Sequence, residues 1–137
     1  MKILLINPPF LSHHGKFSRE QRSPAITKSG TLYYPMWLSY ATGVLEQHGF
    51  KTTLLDCPAE HIKISDIETY VINHKPGLVV INTSTPSIYS DIEVGETIRS
   101  HSPDSFIIVV GNIVCCCGGL RFMVVSESET DSSCKRR

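Results

Sequence analysis

The chain has 137 residues, 41 % of them hydrophobic, and its 13 basic residues are matched by 13 acidic ones. That is the size and apolar content of one ordinary domain. The balanced charge excludes a global field that would hold the protein on nucleic acid or on an anionic membrane.

The first apolar run, Lys2 to Ile6, ends in Asn7-Pro8-Pro9. It is too short for a secretion signal or a membrane span, so it reads as a strand and the expected location is the cytoplasm. A long connection follows, from Pro8 to Tyr34, and loops of that length in compact domains usually carry function. Lys16, Arg19, Arg22 and Lys28 stand against Glu20 there, a local excess of positive charge. It suits an anionic ligand or partner, or it is simply a solvated loop. His13 and His14 are neighbours, and neighbours on an extended loop point apart, which suits a single metal ion badly. At the far end Tyr33, Tyr34 and Trp37 either wall a pocket for a planar ligand or pack a helix onto the sheet.

A helix is predicted from Pro35, a residue favoured in a first turn, to Gly49, with Leu38, Ala41 and Leu45 as its apolar stripe. The strand Thr52 to Leu55 comes next and ends at Asp56. In dinucleotide-binding folds an acid at that point holds a ribose, but here Asn7-Pro8-Pro9-Phe10 replaces the glycine-rich turn, so that fingerprint is absent. The tetrapeptide Ser-Asp-Ile-Glu occurs at Ser65 to Glu68 and again at Ser90 to Glu93. As a capping box it predicts helix starts at Ser65 and Ser90. Ile67 and Val71 then face inward from the first of these helices, and Ile92, Gly95 and Ile98 from the second, which stops before Pro103. Between them lies the strand Leu78 to Ile81, followed by Asn82 and by Thr83-Ser84-Thr85-Pro86-Ser87. Four hydroxyls beside a helix start exceed what a cap needs and can hold a phosphate or a ring edge.

The last strand of the regular pattern is Phe106 to Val110, before Gly111-Asn112. Cys115, Cys116 and Cys117 are contiguous and have no partner pair at zinc spacing. With Cys57 and Cys134 they make an irregular set that argues against an extracellular disulfide framework, and reduced thiols are expected. Beyond Val125 the sequence is polar, and residues 115–137 are expected to form an atypical, largely disordered tail.

Strands alternate with helices, and the strands are apolar throughout instead of alternating. That pattern predicts an α/β domain with an open parallel sheet covered by helices on both faces. Such sheets bind ligands at the carboxyl ends of their strands.

Lys2-Ile3-Leu4-Leu5-Ile6-Asn7-Pro8-Pro9, Phe17-Ser18-Arg19-Glu20, Arg22-Ser23-Pro24, Gly30 to Pro35 and Thr83 to Ser87 together resemble the N-terminal cobalamin-binding domain of radical S-adenosylmethionine enzymes. The similarity spans about Met1 to Val114. It implies a flavodoxin-like sheet that holds cobalamin against its carboxyl edge, with Asn7, Pro8, Thr83, Ser84, Thr85, Ser87 and Gly111 lining the cofactor cleft. It also implies cobalt-centred methyl transfer or radical rearrangement in the parent enzyme. The chain departs from the family in three ways. His13 lacks the aspartate and glycine of Asp-x-His-x-x-Gly, so no histidine ligand to cobalt is expected. Cys-x-x-x-Cys-x-x-Cys is not present, so no iron–sulfur cluster is expected in this chain, which is not an enzyme on its own. The tail from Cys115 looks unlike the family, as a truncated or frame-shifted product would. An incomplete domain over residues 1–114 is therefore expected, either lacking the usual fifth strand or patched by Leu120 to Val125. The expected function is a cobalamin-binding module without its catalytic domain. The alternatives are a subunit that docks a separate radical catalytic chain through the basic loop, or a non-functional fragment.

Overall fold

The computed structural model describes residues 1–10, 17–20, 31–112 and 123–125. Strand β1 (Lys2–Asn7) leads to helix α1 (Met36–Gln47) and strand β2 (Lys51–Asp56). A short helical turn, α2 (Cys57–Glu60), and helix α3 (Ile64–His74) follow, then strand β3 (Leu78–Ser84). A 3-10 turn at Thr85–Ser87 runs into helix α4 (Ile88–His101), and strands β4 (Phe106–Asn112) and β5 (Met123–Val125) complete the sheet. The strands are all parallel, in the order β2-β1-β3-β4-β5. This is the flavodoxin-like α/β architecture, and its winding direction reverses between β1 and β3.

Strand alternation sends Leu4, Ile6, Val79, Ile81, Ile107 and Val109 to one face, where Ile67 and Val71 of α3 and Ile88, Val94 and Ile98 of α4 cover them. Ile3 and Leu5 point to the other face and meet Leu38 of α1, with Leu45, Leu54, Leu78, Val80 and Val110 half-buried around them. Each fully buried aliphatic contributes about 1.5–3 kcal/mol relative to exposure. β1 is buried on both faces, which is why its run is apolar without alternation.

The helix boundaries follow from local chemistry and correct the sequence reading in detail. Helix α1 ends near Gly49, whose φ of +80° suits a residue without Cβ. Its inward face is Leu38 and Leu45 with Thr42 half-buried between them, while Ala41 is exposed. The cap of helix α3 is Lys63, two residues before the predicted Ser65. The Lys63 N–H donates to the Asp66 carboxylate at 2.8 Å, so the aspartate of the tetrapeptide, not Ser65 with Glu68, satisfies the helix start. Ser90 likewise lies inside α4, where its hydroxyl donates back to the Ser87 carbonyl at 2.8 Å.

Of the two expectations for the far edge of the sheet, a missing fifth strand or a patch by Leu120 to Val125, the structure has the second. Three residues of β5 pair with β4, Val109 opposite Val124, because an open parallel edge offers unpaired backbone groups that an extended segment can satisfy. The patch falls within the Leu120 to Val125 segment named as the alternative. Among the described residues no helix is long and apolar enough to cross a membrane.

Candidate functional site

The sheet order places the ends of β1 and β3 side by side at the reversal point, where open α/β sheets bind their ligands. Alternation then assigns the polar residues there to opposite faces. Asn7 and Asn82 follow Ile6 and Ile81 and so lie on the α1 side, whereas Thr83 lies with α4.

Arg19 bridges the two sides over the end of β1. One terminal nitrogen donates to Asn7 Oδ1 and to the Pro8 carbonyl, each at 3.0 Å. The other donates to Asp91 Oδ1 at 2.8 Å, and Nε reaches Ser87 Oγ and Asp91 Oδ2, both at 3.3 Å. The guanidinium also lies 4.3 Å from the centre of the Phe10 ring, and Phe10 packs on Phe17 at 4.6 Å. Both members of the ion pair are buried, at 1 % and 0 % side-chain exposure. Burial pushes the Asp91 carboxyl above its ordinary value, and the Arg19 charge and the Ser87 and Thr83 hydroxyls pull it back. The expectation of Arg19 as a free loop cation is therefore corrected: a buried guanidinium requires a counter-charge, and Asp91 supplies it.

The expected hydroxyl row becomes part of this network. Ser87 Oγ donates to Asp91 Oδ2 at 2.6 Å and shares a hydrogen bond of 3.0 Å with Ser84 Oγ. Thr83 is fully buried near the carboxyl, and its hydroxyl makes no hydrogen bond of good geometry among the described residues. Thr85 is exposed, and Pro8 is buried. Gly111 pairs with Thr83, and a side chain there would run into the Thr83 carbonyl, so the sheet itself requires a glycine at that point.

What remains open is a shallow cleft on the α1 side with a volume of about 10 Å³, room for about one water molecule, lined by Asn7, Asn82, Phe10, Tyr33, Pro58 and Glu20 with Arg19 as one wall. Asn7 is fixed, because its amide also donates to Asp56 Oδ1 at 2.8 Å. Asn82 is 8 % exposed, and its amide has no hydrogen-bond partner among the described residues. Sequence reasoning named Asn82 only as a strand end and missed the roles of Arg19 and Asp91. The signal for the pair was present, since Asp91 shares the inward helical stripe of Gly95 and Ile98, and an acid on a buried face calls for a cation. Tyr34 and Trp37 are exposed, while Tyr33 reaches the cleft.

Cys57 lies just beyond Asp56 and is buried, and desolvation and the Asp56 charge push its thiol up to about 12. It should resist iodoacetamide at pH 8 in the native protein and react once urea unfolds it, as read by mass spectrometry; rapid native labelling would contradict its burial. His13, His14, Lys16, Arg22, Lys28, Cys115 to Cys117, Cys134 and the rest of the expected tail lie outside the described residues, as does the Arg22-Ser23-Pro24 motif. Among the described residues no group of three or more His, Cys, Asp or Glu is placed to hold a metal ion.

No curated protein and no solved structure matches the chain. A family model for the B12 binding domain matches residues 22–120, which takes in β2, β3, β4 and the α1, α3 and α4 helices. With most of its length matched, and an all-parallel flavodoxin-like sheet beneath the match, the chain belongs to the B12-binding domain family.

Proposed function

We propose that this domain binds cobalamin along the carboxyl edge of its sheet and acts, in the cytoplasm, as the cofactor-holding module of a radical S-adenosylmethionine enzyme system. The observation that carries the binding reading is the match to the B12-binding family over a flavodoxin-like sheet, with Asn7 and Asn82 side by side at the β1/β3 reversal. The radical partner is supported by the motif resemblance of Asn7-Pro8-Pro9, Phe17 to Glu20 and Thr83 to Ser87.

The residues present fit the group. Cobalamin is a large, mostly uncharged ligand whose rim bears carboxamides, and this edge offers amides and hydroxyls between apolar walls, with the Arg19 charge paired and the Glu20 carboxylate beside them. Asn7, Pro8, Asn82 and Thr85 would meet the cofactor. Thr83, Ser84, Ser87 and Gly111 would shape the same edge from beneath. When bound, cobalamin supplies cobalt-centred group transfer or radical chemistry. This chain's part is to bind and orient it, and a catalytic domain or chain carries out the reaction. Docking of that partner through Arg19 is disfavoured, because the guanidinium is buried and paired.

Titration with hydroxocobalamin and with methylcobalamin, anaerobically and followed by desalting, tests the reading. Retained corrinoid with a base-off visible spectrum is the expected result. A protein that is folded by circular dichroism and retains no corrinoid overturns it.

A further inference from the structure

We propose that the outer face of helix α1 pairs with the same face of a second copy of this chain, the two helices running antiparallel about a two-fold axis. Leu38 and Leu45 anchor α1 on the sheet, yet its opposite stripe is apolar as well. Met36, Trp37, Tyr40 and Val44 stand exposed along it, with Tyr34 just before the helix, and the Trp37 and Tyr40 rings lie 6.4 Å apart. No charged residue occurs from Met36 to Leu45, and helical spacing turns Glu46 away from Tyr40 and Val44. The hydroxyls on the helix bond back to its own backbone, Ser39 donating to the Pro35 carbonyl at 3.0 Å and Thr42 to the Leu38 carbonyl at 2.8 Å. A helix that is apolar on every side is ordinarily a buried helix. Aromatic residues and methionine without charge are also what the core of a protein interface contains.

The size of the face fits a dimer. Tyr34, Trp37 and Tyr40 are 67, 64 and 65 % exposed, and with Met36 and Val44 they present about 600 Å² of surface. That is the upper end of what a monomer leaves open, and about three-quarters of one partner's share of a standard interface. Two features select a second copy over an unlike partner. A two-fold face meets itself, so any charge near the axis would meet its like, and this face has none. The ends of α1 also complement each other: the first turn has neither an acid nor a side-chain cap, and the last turn has no base. Antiparallel packing sets the positive end of each helix dipole beside the negative end of the other. A membrane surface is the poorer occupant, because interfacial helices line their polar side with Lys and Arg and α1 has neither. Tyr40 lies at the middle of the stripe, so it would meet its own counterpart at the axis. The proposal is independent of the cofactor reading.

Sedimentation equilibrium of the full chain should give the 15.3 kDa protomer mass at about 1 µM and twice that mass at about 100 µM, the range for an interface somewhat below standard size. Trp37 is the one tryptophan of the chain, so its emission should move to shorter wavelength over the same range as the ring leaves water. Tyr40→Glu and Tyr40→Lys should each raise the dissociation constant at least a hundredfold while leaving the circular dichroism of the protomer unchanged, because Tyr40 lies outside the core. Mixed in equal amounts, the two variants should pair again, since opposite charges then meet at the axis. A wild-type chain that stays monomeric at the higher concentration, a dimer that forms without the Trp37 shift, or a dimer that survives both substitutions would overturn the proposal. So would a mixture of the two variants that stays monomeric. A monomer whose Trp37 emission shifts on addition of neutral lipid vesicles would overturn it in favour of a lipid surface.

Discussion

Replacing Arg19 with methionine should destabilise the domain by about 3–5 kcal/mol, the range observed when one partner of a buried ion pair is removed. The loss comes from Asp91, which would remain fully buried with only hydroxyl donors. It should also depend on pH. The Asp91 carboxyl already lies above its ordinary value in the folded protein through burial, and removing the Arg19 charge raises it further. A carboxyl raised in the folded state contributes its stability at low pH, and that contribution is lost as pH climbs from about 4, the unfolded value, through the folded one. The gap between variant and wild-type urea midpoints should therefore widen as pH rises. A constant gap would show that Asp91 does not control it. The double variant Arg19→Met with Asp91→Asn removes the stranded charge while keeping an acceptor for Ser87. It should recover much of the stability and abolish the pH dependence.

Gly111→Ala should cost about 3 kcal/mol or more without any ligand present. The residue sits at φ +153°, a backbone region that residues with a side chain rarely enter, and the added methyl would meet the Thr83 carbonyl on the neighbouring strand. Chemical denaturation of the ligand-free protein measures this directly. A variant as stable as wild type that fails to bind cobalamin would instead place Gly111 at the ligand. The distinction matters because the glycine was expected to line the cleft, and its place in the sheet already accounts for it.

The strands, their parallel pairing and the inward residues of α3 and α4 were legible because periodicity is a local property. Ile67, Val71 and Ile98 lie where helical spacing puts them. Helix starts were misplaced by up to three residues because the same aspartate chemistry caps a helix from more than one register, as Asp66 does for Lys63. The placement of the carboxyl ends of β1 and β3 side by side, at Asn7 and at Asn82 to Ser87, follows from topology. That Arg19 crosses over β1 to meet Asp91 is a contact across 72 residues of chain, which no local pattern encodes. Loop composition suggested a solvated cation, whereas burial beneath Phe10 and Phe17 made it part of the framework.

The position of β1 at the middle of the sheet also governs how the protein is made. Ile3 pairs with Leu78, and Leu5 with both Leu54 and Val80. On the ribosome the Ile3 to Ile6 segment therefore leaves the tunnel long before either neighbouring strand exists. It remains an aggregation-prone stretch until β3 has been made. Its flanks temper that hazard: Lys2 places a charge at one end, and Pro8 and Pro9 at the other block extension of any intermolecular ladder. Folding must await β3, so trigger factors or chaperones that shield nascent apolar segments should engage this chain early and release it only once the third strand has emerged.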